Sequence, residues 1–460
     1  MGATIDIADF CTGLKYSDLS SDNIESAKEQ ALDFIGLAAR GSLVDSSRIL
    51  LSFVKKIKCT GDSIVIGDKI AVAPQYAALL NGAYAHSLDY DDVCNEASLH
   101  PGAPIFPAAF AAAEMVKASG ADFILSVVIG YEVMCRLGKV LEPSKHYGRG
   151  FHSTGTCGVF GAAAAVGRLF GLNSAQMAAA FGICGSQAAG SMEFLTDGTW
   201  TKRMHPGWAA HSGLLSAMLA QEGFTGPATI FEGKDGFLNA YSYDTNSDKL
   251  VEGLGKDYFI SKTSIKPYPC CRYTHGPIYG ILKLMKENDL SSEDVDEIII
   301  GMLEVSYSIV IEPAELKYNP QNVVDAQFSM PFAAAVAVLF GKVSADEYSD
   351  KVISSDQVKT MMKKVKFIKD SELERLYPRQ WPASVIIKTK DGKKYDLFIE
   401  YPKGDPENPL TWVELVEKFN DNMKMIFNSQ RQDEILTAVK SMDQSKNVGA
   451  LCELLRGQKE

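Results

Sequence analysis

The stretch 81–104, NGAYAHSLDYDDVCNEASLHPGAP, carries His86, Asp89, Asp91, Asp92 and His100 in a loop flanked by apolar runs. Imidazoles and carboxylates at this density are the residues of general acid–base chemistry. All seven histidines, His86, His100, His146, His152, His205, His211 and His275, fall in one part of the chain, and none follows His275. Three further segments join histidines to cations. TWTKRMHPGWAAH holds Lys202, Arg203 and His205, with Pro206 read as the first turn of a helix, and a helix N-terminus beside cations is a ready anion site. SIKPYPCCRYTHGP holds Lys266, Arg272 and His275, and its prolines restrict the backbone so that Lys266 keeps a fixed direction. HYGRGFHSTG holds Arg149 and His152, with Ser153 or Thr154 able to cap the helix that follows.

A His/Asp loop together with several cations suits proton abstraction next to a carboxylate on a polyanionic substrate. Such a carbon acid is weak, so a general base is needed, contributing roughly 10²–10⁴-fold. The enolate-like charge that develops needs fixed donors, each worth about 3–4 kcal/mol. His86, His100 and the three aspartates could instead bind a divalent cation. Neighbouring cations would repel a metal, and no HxH or HExxH pattern occurs, so a site without metal or other cofactor is expected. The GxxGxxG run at 155–161 has a phosphate-loop spacing, but no strand precedes it, and close helix packing is the expected role.

The elements that must position these residues follow from apolar periodicity. Helices are expected over 5–42 with a break near 15–21, over 46–57, over 73–88, in two stretches from Pro107 to Leu141, through the Gly/Ala-rich tract 155–192, and over 206–223. A short strand is expected at SIVIG. Past about 264 the pattern changes. VDEIIIGMLEVS has strand composition, DAQFSMPFAAAVAVLFG reads as helix, and SVIIKTKDGKKYDLFIEY as a hairpin turning at Asp391–Gly392. YPKGDPENPL reads as a linker, after which the chain returns to helix. The expected fold is mainly α: a large all-helical domain of residues 1–263 with 403–460, and a smaller α/β lid domain of 264–402.

The composition narrows the functional classes. With 460 residues the chain exceeds one core. A net charge of −11 argues against general nucleic-acid binding, while leaving room for a small anion held by local lysines and arginines. The nine cysteines are scattered without a CxxC, which predicts reduced, buried thiols. The N-terminus lacks the basic and apolar regions of a signal peptide, and the longest uncharged run is too weakly hydrophobic for a membrane span. A soluble, cytoplasmic protein is the expectation.

NGAYAHSLDYDDVCNEASLHPG, GRGFHSTGTCG, DGTWTKRMHPGWAAHSG, SIKPYPCCRYTH and DAQFSMPFAAA, in this order, resemble the MmgE/PrpD family, and the likeness covers nearly the whole chain. That family's activities include 2-methylcitrate dehydratase, cis-aconitate decarboxylase and iminodisuccinate epimerase. The resemblance implies a helical domain and an α/β lid, a homodimer, and metal-free chemistry on di- or tricarboxylates in a cleft between domains. It also implies that Asp89, His100, His152, Lys202 and Lys266 match active-site positions of the decarboxylase, and it leaves Asp91 and Asp92 structural. Two positions depart from that pattern: Cys271 stands where the decarboxylase has a histidine, and Met330 where it has a tyrosine. The expectation is therefore a 2-methylcitrate dehydratase-like lyase, with an epimerase and then a decarboxylase as alternatives. Lys202, Lys266 and Arg272 would hold carboxylates and His100 or Asp89 would move the proton. His152 or His275 would assist departure of the hydroxyl.

Overall fold

The computed structural model describes residues 2–243, 245–377 and 380–457, which are mainly helical with a minor α/β part. It forms two compact units: residues 1–87, 91–265 and 411–460, and residues 88–90 with 266–410. Among the described residues no helix is long and apolar enough to cross a membrane.

The first unit is built from helices Ser21–Gly41, Pro74–His86, Gly102–Val116, Gly120–Val140, Ser153–Leu169 and Thr201–Gln221. Local chemistry starts several of them. The Ser20 hydroxyl accepts from the Asn23 amide, and Ser119 accepts from that of Asp122. Ser153–Leu169, made mostly of small and apolar residues, is buried on every side through Gly167. Glycines let these helices touch backbone to backbone. A Cβ on Gly207 would lie 2.1 Å from the Leu79 carbonyl oxygen, and one on Gly82 would lie 2.9 Å from the Gly207 Cα. A Cβ on Gly161 would meet the Gly130 oxygen at 2.9 Å. The GxxGxxG run is thus helix packing. A short antiparallel ribbon, β1 (Ser63–Ile64) and β2 (Ala71–Val72), is the exception to an all-helical first unit. From the end of the chain, helix Trp412–Met423 binds helix Ser21–Gly41 through a buried Lys418–Asp33 pair at 2.5 Å.

The second unit has a four-stranded sheet of β3 (Val295–Met302), β4 (Val365–Lys369), β5 (Ala383–Thr389) and β6 (Lys394–Ile399), in the order β4-β3-β5-β6. β3 and β4 are parallel and the other pairs antiparallel. The β5–β6 hairpin turns where expected, with Gly392 at φ 86°. Helices His275–Glu287 and Met330–Phe340 share its core through Ile278, Ile281, Phe332, Val365, Val385 and Ile387.

Four expectations need correction. The helix expected from Pro107 begins at Gly102, because the Asp92 carboxylate accepts from the Gly102 amide at 3.0 Å and caps it. The helix expected from Pro206 begins at Thr201 and carries the proline inside. DAQFSMPFAAA is two helices, Val323–Gln327 and Met330–Phe340, because Ser329 turns out of the first and caps the second through the Phe332 amide at 3.1 Å. YPKGDPENPL is no solvated linker: Asp405 is 3% exposed and ion-paired with Arg272. Strand β4 was also not anticipated, since only Val365 of its five residues is buried and alternation is weak.

Gly207→Ala places a methyl group against backbone that cannot rotate away. It is expected to lower stability by about 1–3 kcal/mol or more in urea unfolding, the usual penalty for overpacking. Ala209→Gly on the same helix would lose only a methyl group and serves as the comparison.

Candidate active site

Four histidines gather in the first unit. His86 ends helix Pro74–His86 and His152 precedes helix Ser153–Leu169. His205 lies in the second turn of Thr201–Gln221, and His100 precedes Gly102–Val116. Ring centroids are 5.0 Å apart for His86–His100, 5.8 Å for His86–His152 and 5.2 Å for His152–His205. The Gly82–Gly207 contact explains why two of these helices present their histidines together. The other two histidines of this unit have structural environments. His146 bonds to the Tyr241 carbonyl and to Thr156 at both nitrogens, and His211 stacks on Trp208.

Asp91 is the acid among them. His86 Nδ1 lies 2.6 Å from its Oδ2, and His100 Nδ1 lies 3.5 Å from its Oδ1. His100 Nδ1 also donates to the Asp92 carbonyl at 2.7 Å. The contacts bring Asp91, for which a structural role is expected, together with His86 and His100 in the histidine cluster. Asp92 does keep a structural role. Its carboxylate takes the Gly102 amide and the Tyr131 hydroxyl, the latter at 2.8 Å, and burial pushes its pKa well up.

Burial holds His152 well below the ordinary imidazole value, with His86, Lys202, His205 and His100 adding like-charge repulsion. His205 is lowered to about 4, by burial first and then by His86 and Lys202. Both are neutral at pH 7, and their Nδ1 atoms are 3.1 Å apart, so one donates and the other accepts. Lys202 sits in the first helical turn, half-buried, where no side chain caps the helix. Pro206, lacking an N–H, cannot bond to the carbonyl four residues earlier, that of Lys202.

In the second unit the chain at Leu88–Tyr90 is held against 266–269. Lys266 Nζ donates to the Asp89 carbonyl at 2.9 Å and lies 3.4 Å from its carboxylate. Tyr90 donates to the Pro267 carbonyl, and the Gln327 amide donates to Leu88 and Pro269. Asp89 takes φ 51°, a left-handed conformation uncommon outside glycine and asparagine, which these bonds enforce. Arg272 is committed to Asp405 and lies 5.5 Å from the Trp381 ring, though its Nη1 is buried without a hydrogen-bond partner among the described residues. His275 Nε2 donates to the Cys270 carbonyl at 3.1 Å. Burial, then Arg272 and Lys266, keep its pKa well down, and its Nδ1 is unpartnered among the described residues. Cys271 is 7% exposed, and Met330 is fully buried in the apolar core. All nine cysteines are free, and all but Cys59 are buried, as expected.

His86, Asp91 and His100 offer ligand atoms within 4.8 Å of one another, close enough to hold a cation. In the hydrogen-bonded arrangement both Nδ1 atoms carry protons toward oxygens, so a metal would have to use the Nε2 atoms or displace those protons.

The chain belongs to the MmgE/PrpD family: residues 5–249 match its N-terminal domain and residues 268–444 its C-terminal domain. It is 29% identical to a cis-aconitate decarboxylase-like protein, oryM, of Aspergillus oryzae, over 99% of this chain and 97% of that protein. It is 28% identical to a cis-aconitate decarboxylase of Aspergillus terreus, over 99% and 96% of the two chains. A 2-methylcitrate dehydratase of Cupriavidus necator is 26% identical over 34% of this chain and 32% of its own.

His152 and His205 bind protons more weakly in the fold than at the ordinary value of 6.5. Below pH 6.5 the unfolded chain therefore takes up more protons, and the stability they contribute above that pH is lost, for His205 down to about pH 4. Buried Asp33, at about 6, and Glu114, at about 7, act in the opposite sense. The comparison that isolates the histidine is wild type against His205→Gln, whose stability advantage should be smaller for wild type at pH 5 than at pH 7. Histidine NMR signals of His152 and His205 should not titrate between pH 8 and 5.

Proposed function

We propose that this chain is a metal-free lyase acting on a di- or tricarboxylate by proton transfer next to a carboxylate, and in particular a 2-methylcitrate dehydratase-like enzyme. The observation that carries the reading is the gathering of His86, Asp91, His100, His152 and His205 in one buried cluster beside Lys202. In this reading His100 takes the proton, its tautomer set by the Asp92 carbonyl. Neutral His152 hydrogen-bonds the hydroxyl that departs. Lys202 and the uncapped first turn around it hold a carboxylate. In the second unit, Lys266, with Asp89 as its ion-pair partner, and Arg272 are the candidate carboxylate-binding cations. His275 is a neutral hydrogen-bonding group.

A cis-aconitate decarboxylase-like reaction is the second reading, favoured by relatives of that name along the full chain. Against it stand Cys271 and Met330. Decarboxylation leaves a carbon to be protonated, and a methionine in an apolar core donates no proton. The family likeness also supports a homodimer, which light scattering on the purified protein would test.

The protein incubated separately with 2-methylcitrate, cis-aconitate and iminodisuccinate in D₂O, and followed by NMR, should dehydrate the first. Release of CO₂ from cis-aconitate would install the decarboxylase, and deuterium exchange without net change in iminodisuccinate would indicate an epimerase. His100→Ala is expected to cost roughly 10²–10⁴-fold in kcat. Lys266→Ala should chiefly raise KM, and near-full activity in either folded variant would refute the role given to it. Exhaustive dialysis against a chelator is expected to leave turnover unchanged.

A further inference from the structure

Asp91 is 3% exposed and touches two imidazoles with its two oxygens, while His86 is 2% exposed. A carboxylate accepts only, so the contact at 2.6 Å puts a proton on His86 Nδ1. His100 reaches the same state by donating from Nδ1 to the Asp92 carbonyl. Each ring therefore turns its Nε2 away from the aspartates. His86 Nε2 is buried and has no hydrogen-bond partner among the described residues. The neighbouring rings of His100 and His152 face the same region.

We infer that Asp91 is a positioning residue of the reaction, holding His86 with a proton on Nδ1 and standing against His100, so that the His86 and His100 Nε2 atoms are presented together for proton exchange with a substrate. This rests on the proton-transfer reading above and deepens it. Dehydration needs two proton movements, one from carbon and one to the departing hydroxyl. When the proton leaves carbon for an Nε2, the C–H electron pair stays on the substrate and expels hydroxide. That hydroxide takes the proton back from the imidazolium formed at Nε2 and leaves as water, so nothing is oxidised or reduced. Asp91 offsets the charge of the imidazolium formed meanwhile, as the aspartate of a hydrolase triad does for its histidine.

The decisive measurements are ¹⁵N NMR of histidine-labelled protein and the kinetics of Asp91→Asn. In the wild type both His86 and His100 should show the Nδ1–H tautomer. Asp91→Asn should shift His86 toward the other tautomer and lower kcat about 100-fold or more. KM should stay within about threefold and the melting temperature near that of wild type. His86 found with its proton on Nε2 in the wild type would overturn the inference, and this spectrum decides alone if the variant does not fold. Asp91→Asn at near-wild-type kcat, with His100→Ala inactive, would also overturn it while leaving the proposed function standing. A wild type inert toward all three acids would remove the proposed function, and the tautomers would still be read directly.

Discussion

The backbone contact between Gly82 and Gly207 is the constraint on which the first unit's chemistry depends. Each glycine sits where a side chain would strike the opposing helix, so Pro74–His86 and Thr201–Gln221 cross at closest approach. His86 is four residues beyond one contact point and His205 two residues before the other. Widening this crossing by a methyl group would move both imidazoles without touching either. A reactive cluster so buried needs this kind of support, because precise placement comes from rigid elements rather than from the loop that holds His100.

Burial also decides the charge state. Several imidazoles that were all protonated would repel one another in a low-dielectric pocket, and none could accept a proton. Desolvation resolves this by holding His152 and His205 neutral, while the carboxylate of Asp91 stands against two rings on the other side. The result is an asymmetric cluster, with His152 and His205 held neutral by burial at one end and a ring–carboxylate pair at the other.

Much of this was legible in the residues. Helix positions, the hairpin at Asp391–Gly392 and the packing role of Gly155, Gly158 and Gly161 follow from periodicity and from what glycine permits. Proline was misleading in two places, because Pro107 and Pro206 were read as helix starts when each lies inside a helix whose first turns are secured otherwise. The pairing of His86 with Asp91 was not legible, since it depends on how the chain leaves a helix and turns back. Arg272 shows the converse. Its sequence context suggested a free cation, and only the fold brings Asp405, more than a hundred residues onward, to its guanidinium.

Similarity over the whole chain and similarity at the chemistry are separate matters here. Identity of 29% along nearly all of a decarboxylase-like relative is a statement about the chain as a whole. It says little about two or three proton donors, since a change at one such position alters the reaction and leaves the percentage almost untouched. Met330 illustrates the point. It packs among Ile300, Phe332 and Val336, a place that suits the core and supplies no proton. Decarboxylation asks for a donor to carbon, and the remaining source would be a ring such as His275, whose Nδ1 is buried, unprotonated and close to two cations. What weighs the two reactions is the set of proton donors and acceptors at the chemistry, and overall likeness does not supply it.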